Sequence, residues 1–246
     1  MGSSRFPGKP LATIHGMPMI GHCYYRTAMC SELLATYVAT CDQEIYDYIV
    51  SIGGNAVMTS DSHERATDRT AEAMLKIEKS IGSQVDIVVM VQGDEPMVTP
   101  EMISQSLLAM HDDVQVVNLM AVIRSIEEFE DPNEVKVVVD KYSNALYFSR
   151  EPIPSRKKGA DKVRMLKQVC IIPFRRNFLI QFNETPETEL ERIESVDMMR
   201  ILENGGKIRM VLSDHESYSV DTIEDLKRVE KIMVNDKLMS RYLERK

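Results

Sequence analysis

Apolar and polar positions along the chain fall into short blocks whose period switches between two and about 3.6. Residues 18–28 read as a helix with Met19, Ile20, Cys23 and Tyr24 on one side. Residues 36–40 (TYVAT) read as a strand that feeds a helix through Val50, closed at Gly53-Gly54. A short strand follows at 56–58, then a polar, charged segment at 60–69 that leads into a helix to about Lys79. Residues 87–91 are a run of β-branched and apolar residues, read as a strand buried on both faces. Thr99 and Pro100 supply the cap and first position of a helix, and 115–122 is strand-like. To this point the alternation predicts a parallel, doubly wound sheet.

The texture then changes. Residues 135–140, 145–150 and 168–172 predict strands, the first two joined as a hairpin across Lys141-Tyr142-Ser143-Asn144. Residues 151–165 are basic and proline-containing, a loop. Helices are expected at 175–182 and 190–203, a strand at 207–212, and a last helix capped by Thr222.

The strand at 87–91 ends in Gln92-Gly93-Asp94-Glu95-Pro96. Gly93 permits an unusual turn, and Pro96 keeps Glu95 extended. Two carboxylates are thereby set just past the carboxyl end of a strand, the edge where open α/β sheets bind ligands. Two readings stand side by side: a solvated turn, or a metal or phosphate site with Mg²⁺ between the acids. The opening stretch, Gly2-Ser3-Ser4-Arg5-Phe6-Pro7-Gly8-Lys9-Pro10, is also double. Its small residues and two cations suit a chain of phosphates, and a flexible terminus has the same composition. Pro10 after Lys9 departs from the usual P-loop pattern.

The 246 residues carry a net charge of −8, with 28% charged and 43% hydrophobic residues, enough for one large α/β domain or two small ones. The charge argues against a duplex nucleic-acid binder. Four cysteines without a C-x-x-C pair predict reduced thiols and a cytoplasmic protein. The absence of a long apolar run predicts no membrane span. His15, His22, His111 and His215 are isolated, and surface or satisfied positions are expected for them.

Five stretches taken in order resemble the bacterial CMP-sugar synthetases, specifically the 3-deoxy-manno-octulosonate (Kdo) cytidylyltransferases. They are GSSRFPGKPL from Gly2, VQGDEP from Val91, NEVKVVV from Asn133, ALYFSR from Ala145 and VDTIEDL from Val220. The resemblance implies a three-layer, Rossmann-like nucleotide-diphospho-sugar transferase fold with a mostly parallel mixed sheet and a β-rich dimerisation subdomain. It divides one domain into a nucleotide-binding half (1–122), a sugar-binding and dimerisation half (123–212) and a closing segment (213–246) that carries a metal ligand. It implies transfer of CMP from CTP to the anomeric hydroxyl of a Kdo-like 2-keto sugar acid, release of pyrophosphate, a homodimer and a role in lipopolysaccharide or surface polysaccharide synthesis. Asp94 and Asp221 are implied to hold Mg²⁺. Arg5 and Lys9 are implied to clamp the triphosphate, with Ser3, Ser4, Gln92 and Gly93 on the nucleotide. Arg69, Arg150, Gln168 and Asp197 are expected on the sugar acid.

Three departures sharpen this picture. The family carries a strand and an arginine, in an I-P-A-R-like stretch, upstream of the phosphate loop, so Met1 is expected to be internal to a longer chain. If the protein truly begins at Met1, a catalytically silent nucleotide-binding protein is the alternative. Where the Kdo enzymes have a histidine, this chain has Gln168. Their nearby tyrosine corresponds to Ile172, and their Glu-Gln pair to Asp197-Met198. Losing polar partners should shift the choice of sugar. Finally, His63-Glu64-Arg65-Ala66-Thr67-Asp68-Arg69 replaces a less charged version. Glu64 there is either a surface ion pair with Arg65 or Arg69, or a partner for an amino group that would favour 8-amino-Kdo or another ulosonic acid.

Overall fold

The N-terminal elements are short because turn chemistry intervenes early. In the computed structural model, which describes residues 6–111, 113–157 and 163–243, β1 (Thr13–Ile14) and β2 (Met17–Pro18) pair as an antiparallel hairpin. His15 and Gly16 take φ of 48° and 78° at its tip, the two left-handed residues that a tight hairpin turn requires. The chain forms two compact units. The first comprises residues 1–84, 91–104 and 217–246, and the second residues 85–90 and 105–216.

In the first unit, α1 (Met19–Ala28) follows the hairpin directly. Strand β3 (Tyr37–Thr40), helix α2 (Gln43–Ser51) and strand β4 (Asn55–Met58) form a βαβ crossover, with β3 and β4 parallel in register from Tyr37↔Asn55. The return into β4 is tight. A Cβ on Gly54 would lie 2.8 Å from Ile49 Cγ2 and 2.9 Å from Tyr24 Cε1, so no other residue fits there. Helix α3 (Ala66–Ile81) ends at Gly82, whose φ of 73° closes it. The apolar centre of this unit joins Ile14, Met17 and Met19 to Met97, Val220, Val229, Met233 and Tyr242. The last five come from the turn after residue 94, from the segment just before α9 (Val220), from α9 (Ile223–Met233) and from α10 (Lys237–Leu243). The chain's two ends therefore share one core.

The second unit is built on a five-stranded mixed sheet. Its elements are β6 (Val117–Val122), β7 (Lys136–Val139), β8 (Ala145–Ser149), β9 (Leu166–Val169) and β11 (Arg209–Leu212). The strand order is β11-β6-β9-β7-β8. β11 runs parallel to β6, while β6–β9, β7–β9 and the β7–β8 hairpin are antiparallel. The remaining strands, β5 (Ile87–Val91) and β10 (Ile171–Arg175), pair with each other.

Most elements fall where the hydrophobic pattern places them; the β1–β2 hairpin and α10 were not expected, and four further differences stand out. The strand expected at 168–172 is two strands interrupted at Cys170, one in the five-stranded sheet and one beside β5. A short strand-like run does not show that its two halves pair with different partners. The helix expected at 190–203 is α7 (Glu189–Glu194) and α8 (Met199–Glu203). Ser195 breaks it in the left-handed region, at φ 52° and ψ 46°. A short helix α5 (Ile126–Glu130), capped by Ser125 accepting from Glu128 N at 3.1 Å, was not evident in the pattern. Strand β5 has only Met90 fully buried, because among the described residues its hydrogen-bonded neighbour is β10 alone. Helix α4 (Pro100–Leu108) starts as expected, with Thr99 Oγ1 accepting from Met102 N at 3.2 Å. α6 (Arg176–Glu184) likewise matches its expected place. None of the described helices is long and apolar enough to cross a membrane.

Candidate active site

Lys9 begins a single 3-10 turn, Lys9–Leu11, whose preceding residue Gly8 sits at φ 74°. Leu11 N donates to Gly8 O at 2.9 Å, and Ala12 accepts from Met19 N at 2.8 Å. The turn is thus pinned to the start of α1. Asp94 stands in the turn after β5, where Glu95 N donates to Gln92 O at 3.2 Å. Gly93 packs close to α1: a Cβ there would lie 3.1 Å from Ile20 Cδ1. Its carbonyl accepts from Cys23 Sγ at 3.4 Å, and burial pushes that thiol's pKa up. One backbone bond, Val220 N to Asp94 O at 2.9 Å, brings the chain's closing segment alongside. Asp221 then leads into the capping box of α9, in which Asp225 accepts from Thr222 N and Thr222 Oγ1 accepts from Asp225 N.

These three segments converge on one ammonium group. Lys9 Nζ is 2.8 Å from Asp94 Oδ2 and 3.3 Å from Asp221 Oδ1. Their side chains keep 13%, 23% and 23% exposure, so the cluster is sheltered yet open to a ligand. Burial pulls the Lys9 pKa down, but attraction and hydrogen bonding to Asp94 and then Asp221 outweigh it, and the net pKa lies above 10.5. Two carboxylates and one ammonium leave a formal charge of −1, so Lys9 only half-neutralises the acids. A hard oxygen donor pair with spare negative charge suits a divalent cation that keeps waters or phosphate oxygens as its other ligands. Among the described residues no group of three or more His, Cys, Asp or Glu is placed to enclose a metal by itself. The pair therefore fits a cation shared with a substrate, not a closed structural site.

Glu95 turns the other way. It is 3% exposed and accepts from Ser217 Oγ at 2.9 Å. The adjacent acids Asp94 and Glu95 thus have separate tasks, one facing Lys9 and the other holding residue 217 beneath the turn. Ser217 could not be picked out from the residues around it, because its role depends on a fold contact.

A sequence profile described as Cytidylyltransferase matches residues 1–208. The chain belongs to this family. Among the family's curated members, a 3-deoxy-manno-octulosonate cytidylyltransferase from Trichlorobacter lovleyi is 41% identical, with 94% of each chain covered. One of the same description from Geobacter sulfurreducens is 42% identical over 92% of this chain and 93% of its own. A solved structure of CMP:2-keto-3-deoxy-manno-octonic acid synthetase complexed with CTP is 39% identical, with a TM-score of 0.85 over 96% of this chain and 95% of its own. A 4-diphosphocytidyl-2C-methyl-D-erythritol synthase from Anaerococcus prevotii, 14% identical at a TM-score of 0.60, shares the fold. The expected Rossmann-like cytidylyltransferase architecture and the Kdo-enzyme resemblance are both shown by these matches.

The other family-like residues divide as follows. Ser3, Ser4 and Arg5 lie outside the described residues. Gln92 and Gly93 lead directly into Asp94. Arg69, on α3, spends its guanidinium on the loop after β4, donating to Thr59 Oγ1 at 2.5 Å, Ser60 O at 3.1 Å and His63 O at 3.3 Å. In that loop His63 pairs with Glu72, which also holds Lys76 at 2.7 Å. Lys76, Ser60 and His63 hold the Glu72 carboxyl down at about 2.

In the second unit, Arg150 donates to Glu194 O at 2.7 Å, Pro132 O at 2.8 Å and Ser195 O at 3.3 Å, tying the Ser195 break to the turn before β7. Gln168 is half-buried and donates from Nε2 to Asn118 Oδ1 at 2.6 Å. Asp197 sits in the turn between α7 and α8, its carbonyl accepting from Arg200 N at 3.1 Å. Ile172 and Met198, expected at a sugar pocket, are 1% and 0% exposed. Both side chains are packed in the interior of the second unit.

Proposed function

We propose that this chain transfers CMP from CTP to the anomeric C2 hydroxyl of Kdo, releasing pyrophosphate in the supply of lipopolysaccharide precursors. The observation that carries the reading is the Lys9–Asp94–Asp221 cluster, in a chain about 41% identical to Kdo cytidylyltransferases over nearly its whole length. Phosphoryl transfer asks little covalent work of a protein, and much positioning and charge neutralisation. The sugar oxygen bonds to the α-phosphorus and loses its proton as the bond to pyrophosphate breaks.

Lys9 binds the triphosphate and stabilises the charge that gathers on the leaving pyrophosphate. Arg5 is its partner in that clamp, and Ser3, Ser4, Gln92 and Gly93 face the nucleotide. Asp94 and Asp221 hold Mg²⁺, which when bound neutralises phosphate charge and helps fix the in-line geometry. Arg69 shapes the loop that borders the substrates. Arg150, Gln168 and Asp197 belong to the sugar-acid half, and residues 133–172 supply a two-fold contact of a cytoplasmic homodimer.

Pyrophosphate release from CTP and Kdo in the presence of Mg²⁺, with 8-amino-Kdo and a sialic acid as alternative acceptors, tests the reading. Release with Kdo is expected. No release with any acceptor, alongside calorimetric binding of CTP, would instead identify a silent nucleotide-binding protein.

A further inference from the structure

We infer that Asn118 is a positioning residue that turns the amide oxygen of Gln168 outward as an acceptor, so that the sugar acid is selected by a hydroxyl or ammonium donor at that point. This rests on the reading of Gln168 as a sugar-acid residue.

Asn118 lies on β6 and is 0% exposed. Its Nδ2 donates to two backbone carbonyls, Leu119 O at 2.9 Å and Val169 O at 2.7 Å. An amide whose nitrogen faces two carbonyls has one tolerable orientation, because the flipped form sets oxygen against both. Oδ1 must therefore point away from them, toward Gln168, where an acceptor demands a donor. Gln168 meets it with Nε2 at 2.6 Å. Register supports the contact: Met120 pairs with Gln168 across β6 and β9, and Asn118, two residues from Met120, shares its face.

The chain of constraints starts in the backbone and ends at a side chain with solvent access. Gln168 Oε1 accepts from no protein donor among the described residues. A half-buried acceptor left open in this way needs a donor from ligand or water. A glutamine free to flip would present either edge and discriminate little. With its amide locked, it rewards one kind of partner.

Steady-state parameters for CTP and Kdo in the wild type, Gln168→Ala, Asn118→Ser and the double variant test the inference. Each single change is expected to raise the KM for Kdo about three- to tenfold, the scale of one hydrogen bond, with the KM for CTP unchanged. The double variant is expected to be no worse than Gln168→Ala, because both changes remove the same contact. An unchanged KM for Kdo in Asn118→Ser, beside a raised one in Gln168→Ala, overturns the positioning role and leaves Gln168 on the sugar. An unchanged KM in Gln168→Ala removes the sugar-acid reading itself. If Asn118→Ser does not fold, Gln168→Glu decides. Its carboxylate is ionised at pH 8 and cannot donate to Asn118 Oδ1, so its KM for Kdo should be raised there as in Gln168→Ala. A KM for Kdo in Gln168→Glu equal to the wild-type value at pH 8 overturns the inference.

Discussion

Lys9 Nζ donates to Asp94 Oδ2 at 2.8 Å, and that one contact joins the N-terminal turn to the tip of a strand far along the chain. Replacing the ammonium leaves Asp94 and Asp221 facing each other without their cation. Lys9→Met is expected to lower pyrophosphate release by roughly a hundredfold or more, on the scale of losing one preorganised charge partner. It also removes a pH dependence. The Lys9 pKa is raised above 10.5 on folding, so its stabilising contribution is fully present below 10.5 and is lost as pH rises through the folded value. Unfolding midpoints of wild type and Lys9→Met should therefore converge above about pH 10.5. A gap that does not narrow as pH rises above 10.5 argues against the ion cluster as the source of the stability.

The two acids predict a separation of activity from stability. Asp94→Asn and Asp221→Asn keep side-chain size while removing charge, and each by itself cancels the −1 excess of the cluster. Turnover dependent on Mg²⁺ should fall by roughly two to three orders of magnitude in either variant. The thermal midpoint should stay within a few degrees of wild type, because both side chains remain partly exposed. Full activity in Asp221→Asn would remove it from the metal site.

Much of this was legible in the chain. The strand at 87–91, the acid turn after it and the capping residue Thr222 announce themselves through local chemistry, and local chemistry survives folding. What was hidden is non-local. Nothing around Val220 says that its N–H will meet the carbonyl of Asp94, or that Ser217 will reach the buried Glu95. The split of 168–172 was hidden for the same reason, since an apolar run records burial and not partnership. The bonds of Arg150 to three backbone carbonyls were hidden in the same way, because their acceptors lie far from it in the chain. His22 is the satisfied histidine the sequence allowed for, but the sequence does not name its partners, Ile14 O and Tyr242 Oη.

In the second unit, Arg200 and Glu191 form a buried pair, 4% and 0% exposed, with Nη2 to Oε1 at 2.6 Å and Nε to Oε2 at 2.8 Å. Arg200 also donates to Phe182 O and Thr185 O and stacks 4.4 Å above the Phe182 ring. Removing one charge strands the other in the interior. Arg200→Met is expected to destabilise by about 3–5 kcal/mol in chemical denaturation. Pairing it with Glu191→Leu should recover part of that loss, because the second change removes the stranded carboxylate. A loss below 1 kcal/mol in the single variant would show that solvent reaches the pair.

His22 gives the chain an acid-sensitive fastening. Its Nε2 lies 2.8 Å from Ile14 O and its Nδ1 2.7 Å from Tyr242 Oη. The carbonyl can only accept, so Nε2 carries the proton and Nδ1 accepts from the tyrosine. The neutral ring thereby fastens α10 to α1, beside Arg26, which binds Asp236 at 2.8 Å. Burial is the main force that lowers the His22 pKa from 6.5 to about 4, and it outweighs the opposing bond to Ile14. A depressed folded pKa means that the unfolded chain binds more protons between these two values. The stability is fully present above pH 6.5 and is lost as pH falls toward 4. At about 1.4 kcal/mol per pH unit, the loss across that window approaches about 3 kcal/mol. Replacing the imidazole by a side chain that does not titrate there, as in His22→Gln, should lower stability at pH 7.5 and flatten its decline between pH 6.5 and 4. Urea unfolding followed at half-unit pH steps measures both, and equal slopes for the two proteins would place the acid sensitivity elsewhere.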